Sequence, residues 1–138
     1  MKIVIIDGQG GGLGKAIITA LKSASADIEI IAVGTNSIAS SAMKKAGADI
    51  AATGENSVIV NCRKADIIAG PIGLIAADAL YGEITPAMAA AVSGSEAVKI
   101  LIPFNSCGII IAGVAENSSL SQMIDETVRT ILSLSRQK

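Results

Sequence analysis

Short apolar runs that alternate with helical patterns constrain the fold of this chain more than any other feature. Six such runs are rich in Ile and Val, and we expect each to form a strand: 2–7, 28–33, 49–52, 66–70, 98–103 and 108–114. Strands that are apolar throughout are typical of a parallel sheet that is covered on both faces. The amphipathic stretches between the runs predict helices, so the connections are expected to be right-handed β-α-β crossovers.

Local signals place the ends of the predicted helices. Asn36 and Thr85 stand where helix caps are expected, Pro86 suits a first helical position, and Ser119 with Gln122 forms a capping box. Together the elements predict an α/β fold, a three-layer Rossmann-like doubly wound sheet that is mostly parallel and has about six strands. The fifth and sixth runs are too close for a helical crossover and predict an antiparallel edge. No linker or repeat interrupts residues 1–138, which are expected to form a single domain.

The composition excludes several classes of function. A net charge of −1 and an aromatic content of 1% argue against a nucleic-acid partner, which needs positive charge and stacking side chains. The chain has no His, and its two cysteines form no CxxC pair, so no metal is expected and neither is a Ser-His or Cys-His nucleophile. No apolar run approaches the ~20 residues of a membrane span, which favours a cytoplasmic protein with no membrane partner. The hydrophobic fraction of 51% predicts a homodimer or a higher homo-oligomer.

A glycine-rich run lies directly between the first predicted strand and the first predicted helix. Backbone amides at the start of a helix, with no Cβ in front of them, bind a phosphate or a carboxylate. We therefore expect a small anionic ligand here, with a nucleotide or a dinucleotide as the favoured class and a structural tight turn as the alternative. The residues of this candidate site are Asp7, Gly8, Gln9, Gly10, Gly11, Gly12, Leu13, Gly14 and Lys15.

The spacing of these glycines matches no known pattern completely. The dinucleotide fingerprint G-x-G-x-x-G would require glycine in place of Leu13. The spacing in short-chain dehydrogenases fits Gly8, Gly12 and Gly14, with Asp7 where threonine is usual, but the catalytic Tyr-x-x-x-Lys pair is missing. The deviant phosphate loop of some ATPases would lack a lysine and a magnesium-binding hydroxyl. Whether the chain is an enzyme, and which residues would be catalytic, stays open.

Residues that follow the other strands join the candidate site, because ligands of open parallel sheets bind across the carboxyl ends of the strands. No acidic residue follows the second strand to hold an adenosine ribose. Each of the strand-end residues also has an alternative structural role, as a helix cap or in a turn. Residues 81–85 form a second polar segment, in which Glu83 would belong to a lid or an interface. Asp7 is expected to hydrogen-bond loop amides, with a metal or hydroxyl ligand as the alternative. The further members of the candidate site are Gly34, Thr35, Asn36, Glu55, Asn56, Gly70, Pro71 and Asn105.

Six ordered motifs extend over nearly the whole chain. They are DGQGGGLGK, GTNSIA, GADIAATGEN, ADIIAGPIG, GEITPAMA and ILIPFN. In this order they resemble an uncharacterised bacterial family of small proteins, a domain-of-unknown-function family. The resemblance implies a Rossmann-like fold and no assigned activity, substrate or catalytic residue. Beside nucleotide binding, two other functions are open: a non-catalytic sensor of an anionic metabolite, and an oligomeric partner-binding subunit in which the glycine turn is structural.

Overall fold

Five strands and five helices alternate along the chain in a computed structural model, which describes residues 1–104, 108–114 and 118–137. The strands are β1 (Ile3–Asp7), β2 (Ile30–Gly34), β3 (Ile50–Thr53), β4 (Ile67–Pro71) and β5 (Val98–Ile102). The helices are α1 (Gly12–Ala24), α2 (Ser37–Lys45), α3 (Glu55–Lys64), α4 (Pro86–Ser93) and α5 (Leu120–Arg136), and a short 3₁₀ helix spans Ile72–Ile75.

The strands form one parallel sheet in the order β3-β2-β1-β4-β5. This order is that of a Rossmann-like doubly wound fold, in which the chain starts in the middle of the sheet and winds outward first in one direction and then in the other. Ile3 of β1 pairs with Ile30 of β2 on one side and with Ile67 of β4 on the other. Strand β1 is therefore central, and all five of its residues are buried.

Helices cover both faces of the sheet, which confirms the three-layer prediction. Ile3 and Ile5 of β1 belong to a core that includes buried residues of α1, α2 and α5. Val4 and Ile6, which point the other way, belong to a second core with residues of α3 and α4. Because neighbouring residues of a strand face opposite sides, a strand buried on both faces must be apolar throughout. Among the described residues, no helix is long and apolar enough to span a membrane.

The helix caps that the sequence predicts are present. The side chain of Asn36 accepts a hydrogen bond from the Ala39 amide at 2.9 Å, and the Thr85 hydroxyl accepts one from the Met88 amide at 3.2 Å. Ser119 and Gln122 form the reciprocal capping box of α5. Helix α1 begins at Gly12, so its first turn lies within the run that the sequence placed before the helix.

The prediction of a sixth strand over 108–114 is wrong, and so is that of an antiparallel edge. Residues 108–114 form turns and irregular backbone, and β5 pairs parallel to β4. Gly108 and Gly113 have φ angles of 81° and 89°, which an extended strand does not allow. Ile110 is 96% exposed. The Ile-rich composition of this segment indicated a strand, but a strand also needs a neighbour to pair with.

One close approach between backbones fixes the spacing of β1 and β4. A Cβ built on Gly70 of β4 would overlap the carbonyl oxygen of Ile6. Gly70 and Ile6 belong to neighbouring strands inside the sheet, so neither backbone can move aside without separating β1 from β4. Only glycine therefore fits at position 70.

The substitution Gly70→Ala is expected to lower the free energy of unfolding by more than about 2 kcal/mol, because it overpacks a rigid backbone contact. Urea denaturation measures this effect. The control is Gly10→Ala, where a Cβ would meet no atom within 4 Å and the change is expected to stay within about 0.5 kcal/mol. Equal stability of the two variants would contradict the close approach.

Candidate functional site

A small cavity lies where the chain leaves β1 and β4 in opposite directions. After β1 the chain enters the glycine loop and α1, which packs on one face; after β4 it enters the 3₁₀ helix and then α4 on the other face. Such a switch point is the usual ligand site of open α/β sheets. The cavity has a volume of about 110 Å³ and is lined by Asp7, Gly8, Gln9, Gly10, Gly11, Gly12, Leu13, Pro71, Leu80 and Phe104.

The glycines of the loop have different structural roles. Gly14 packs closely, since a Cβ there would lie 2.5 Å from the sulfur of Met43 and 3.0 Å from Cβ of Asp7. Gly11 has a φ angle of 75° and precedes the first residue of α1. Gly10 and Gly12 are exposed, and a Cβ on either would meet no atom within 4 Å. The loop thus combines a packed glycine inside the helix with open glycines at its start.

Asp7 holds the loop against the end of β1. Its Oδ1 accepts a hydrogen bond from the Gly8 amide at 2.8 Å, and its Oδ2 accepts one from the Gly14 amide at 2.7 Å. Asp7 is buried, with only 6% of its surface exposed to solvent. Burial raises the pKa of Asp7, the amide hydrogen bonds of Gly14 and Gly8 oppose that rise, and the nearby charge of Glu83 adds to it. The structure therefore shows Asp7 bonded to loop amides, as the sequence favours.

Glu83 joins the glycine loop to the end of β2. Its Oε1 accepts hydrogen bonds from the Gln9 amide at 2.8 Å, from the Thr35 hydroxyl at 2.6 Å and from the Asn36 side-chain amide at 2.9 Å. Burial by itself would raise the pKa of Glu83, but the hydrogen bonds from Thr35, Gln9 and Asn36 outweigh it and hold the pKa below its usual value. Glu83 therefore stays ionised beside the loop.

Sequence reasoning left Glu83 out of the candidate site. It lies 74 positions from Gln9 in the sequence, and no spacing rule connects a residue before α4 with the end of β2. The polarity of segment 81–85 was the only signal, and it suggested a lid or an interface. Three donors from two different loops that converge on one oxygen become visible only in the tertiary structure.

Two of the glycine amides of the loop have no acceptor in the described part of the chain. Gly8 and Gly14 donate to Asp7, Gln9 donates to Glu83, and the Gly11 amide donates to the Gly8 carbonyl at 2.9 Å. Within the ranges that the structure describes, the amides of Gly10 and Gly12 have no protein acceptor. Lys15 is exposed on the first turns of α1. The free amides and the lysine place positive charge at the start of this helix.

The remaining predicted residues do not all lie at the cavity. Thr35 and Asn36 both donate to Glu83, the Asn36 side-chain amide also donates directly to the Gln9 carbonyl at 2.9 Å, and Pro71 lines the cavity. Gly34 and Gly70 are buried sheet positions where a Cβ would overlap Ser40 and Ile6, respectively. Close packing is sufficient to require glycine at both.

The structure does not bring Glu55 and Asn56 to the cavity. Oε2 of Glu55 accepts a hydrogen bond from the Thr85 hydroxyl at 2.5 Å, which links the start of α3 to the start of α4. Neither residue lines the cavity. Asn105 lies outside the described residues, although the preceding residue, Phe104, does line it.

Two other kinds of site are relevant among the described residues: a metal-binding cluster and a reactive thiol. In the described part of the chain, no three His, Cys, Asp or Glu residues cluster so that they could hold a metal ion. Burial raises the pKa of the Cys62 thiol to about 11, so this cysteine is protonated at neutral pH and is a poor nucleophile. The polar groups that the structure describes at the cavity include backbone amides and the carboxylate of Asp7, with the carboxylate of Glu83 bonded to the Gln9 amide beside it.

The substitution Glu83→Gln is expected to lower the free energy of unfolding at pH 7. The difference in this free energy between the variant and the wild type is expected to shrink as the pH falls below about 4.5, the ordinary pKa of glutamate. A carboxylate whose pKa is lowered on folding stabilises the fold above its ordinary pKa, and this contribution is lost as acid protonates it. Urea titrations between pH 7 and pH 3 measure the difference. Asp7 is present in both proteins, but part of its raised pKa comes from the charge of Glu83, so the variant also removes that part.

The matched control is Glu96→Gln, which removes an exposed carboxylate just before β5, at the amino end of the sheet. We expect it to change the free energy of unfolding by less than about 0.5 kcal/mol. A difference between wild type and Glu83→Gln that grows towards low pH would contradict the assigned role of Glu83.

Comparison with known proteins agrees with the resemblance seen in the motifs. The chain matches, over residues 2–136, the family described as "Domain of unknown function (DUF3842)". Searches of curated proteins and of solved structures found no match. Because the matched region covers nearly the whole sequence, the protein is a member of the DUF3842 family.

Proposed function

We propose that this protein binds a nucleotide or a dinucleotide, with the phosphate groups on the glycine loop. The observation that carries the proposal is the pair of free amides, Gly10 and Gly12, at the start of α1 and beside the cavity of the switch point. A phosphate oxygen is the acceptor that such amides and the positive end of the helix favour. Because Gly10 and Gly12 have no Cβ, a phosphate group can approach their amides closely.

The size of the cavity indicates which part of the ligand it holds. Its volume of about 110 Å³ is well below the ~300 Å³ that encloses a whole small-molecule ligand. A phosphate or diphosphate group fits this volume, whereas the sugar and the base extend over the carboxyl ends of the neighbouring strands. We therefore place a nucleoside on the β2 side of the loop, next to Thr35 and Asn36.

The two carboxylates beside the loop are compatible with an anionic ligand because of their hydrogen bonds. Asp7 accepts two amides and Glu83 accepts three donors, which disperses their negative charge. Neither carboxylate takes a hydrogen bond from the Gly10 or Gly12 amide, so a phosphate on these amides displaces no internal contact. The proposal is one of binding, and it assigns no reaction.

We further propose that the chain is one cytoplasmic domain that forms a homodimer or a higher homo-oligomer. Ile50 at the start of edge strand β3 is 50% exposed, and Val98 at the start of edge strand β5 is 49% exposed, so both edges present apolar surface. Native mass spectrometry of the purified protein measures the mass of the assembly and of a retained ligand together. A purely monomeric protein would contradict the oligomer.

The substitution Gly12→Val is expected to weaken the binding of ADP and NAD at least tenfold, because the added side chain covers the free amides. Isothermal titration calorimetry measures the affinities. A Cβ at Gly12 meets no protein atom within 4 Å, so the free energy of unfolding is expected to change by less than about 1 kcal/mol.

The matched control is Ala24→Val, which places the same valine side chain at the exposed last residue of the same helix. It is expected to bind both ligands as the wild type does. If the wild type bound neither ADP nor NAD, the proposed function would be wrong; if Gly12→Val bound them normally, the loop would not be the phosphate site.

A further inference from the structure

The end of β2 lacks the acidic residue that a dinucleotide site of this fold places there. In such sites a carboxylate at the end of the second strand hydrogen-bonds the ribose hydroxyls, whereas a nearby arginine accommodates a 2′-phosphate. Here Gly34, Thr35 and Asn36 occupy that position. Residues 34–36 therefore supply neither a carboxylate nor an arginine.

The structure supplies a carboxylate at the same place from another loop. Glu83 belongs to the connection between the 3₁₀ helix and α4, yet its Oε1 bonds to Thr35 and Asn36 directly after β2. Its contact with the Gln9 amide and its distance of 3.1 Å from a Cβ built on Gly8 put it beside the cavity wall. The position of this carboxylate thus corresponds to that of the missing one.

The connection that carries Glu83 is rigidly folded. The Asp78 amide donates to the Ile84 carbonyl at 2.7 Å, and the Ile84 amide donates to the Ala79 carbonyl at 3.1 Å. Leu80 and Tyr81 each have a φ angle of 56°, a left-handed conformation that is uncommon for residues other than glycine. The carboxylate is therefore held in place before a ligand arrives.

The hydrogen bonds leave one carboxylate oxygen available. All three donors contact Oε1, and within the described ranges no group of the protein donates to Oε2. A carboxylate accepts hydrogen bonds and cannot donate them when it is ionised. The second oxygen, Oε2, therefore keeps its capacity to accept a hydrogen bond.

We propose that Glu83 is the ribose-binding residue of this site and that it makes the site specific for nucleotides with a free 2′-hydroxyl. This inference rests on the proposed nucleotide-binding function. The hydroxyl donates to Oε2, while a 2′-phosphate at the same place brings a second negative charge against an ionised carboxylate. The substrate class is therefore ADP-like and NAD-like ligands rather than NADP-like ones.

Calorimetric titration of the wild type with ADP, 2′-deoxy-ADP, NAD and NADP tests the inference. We expect ADP to bind about tenfold more tightly than 2′-deoxy-ADP, because a hydrogen bond to a charged acceptor is lost. We expect NAD to bind at least tenfold more tightly than NADP. Equal affinities within both pairs would overturn the role of Glu83 and leave the nucleotide site in place, whereas binding of none of the four would overturn the site itself.

The variant Glu83→Gln separates recognition from a structural role. Its amide oxygen can still accept from Gln9, Thr35 and Asn36, but it has no negative charge, so both preferences are expected to fall to threefold or less. A purely structural Glu83 would lower the melting temperature and leave both preferences unchanged, which would overturn the inference. The control Glu96→Gln, at the opposite end of the sheet, is expected to keep the wild-type preferences.

Discussion

The buried carboxylate of Asp7 is the contact on which the geometry of the site depends. It ends the central strand, and its two oxygens take the amides at both ends of the glycine run, Gly8 and Gly14. A buried carboxylate is costly unless donors surround it, and here the backbone of the loop provides them. The same contact fixes where α1 starts, and with it the direction of the amides that remain free.

The two carboxylates beside the loop differ because their surroundings differ. Burial dominates at Asp7 and raises its pKa, whereas at Glu83 the three donors outweigh burial and lower its pKa. Asp7 is enclosed by its own strand, loop and helix, while Glu83 comes from a distant connection and ties two loops together. Asp7 therefore shapes the glycine loop, and Glu83 holds Thr35 and Asn36 next to that loop.

Several parts of the fold and site could be predicted from local patterns. Five of the six apolar runs form strands, and caps such as Asn36 and Thr85 mark where helices begin, because both signals act within a few residues. The run over 108–114 failed for the opposite reason: its Ile-rich composition indicates a strand, but pairing depends on a neighbour that sequence does not show. The packing of Gly34 and Gly70, which accounts for glycine at both positions, also depends on distant neighbours that no local pattern shows.

The sequence by itself determined a doubly wound α/β fold and a glycine loop between the first strand and the first helix, since periodicity and chain adjacency are encoded locally. Only the tertiary structure decided which amides of that loop are free and which are consumed by Asp7 and Glu83. It also decided that Glu83 lies beside Thr35 and Asn36, whereas Glu55 bonds to Thr85 instead. Contacts between residues dozens of positions apart arise from the winding of the chain around the sheet, and no local pattern records them.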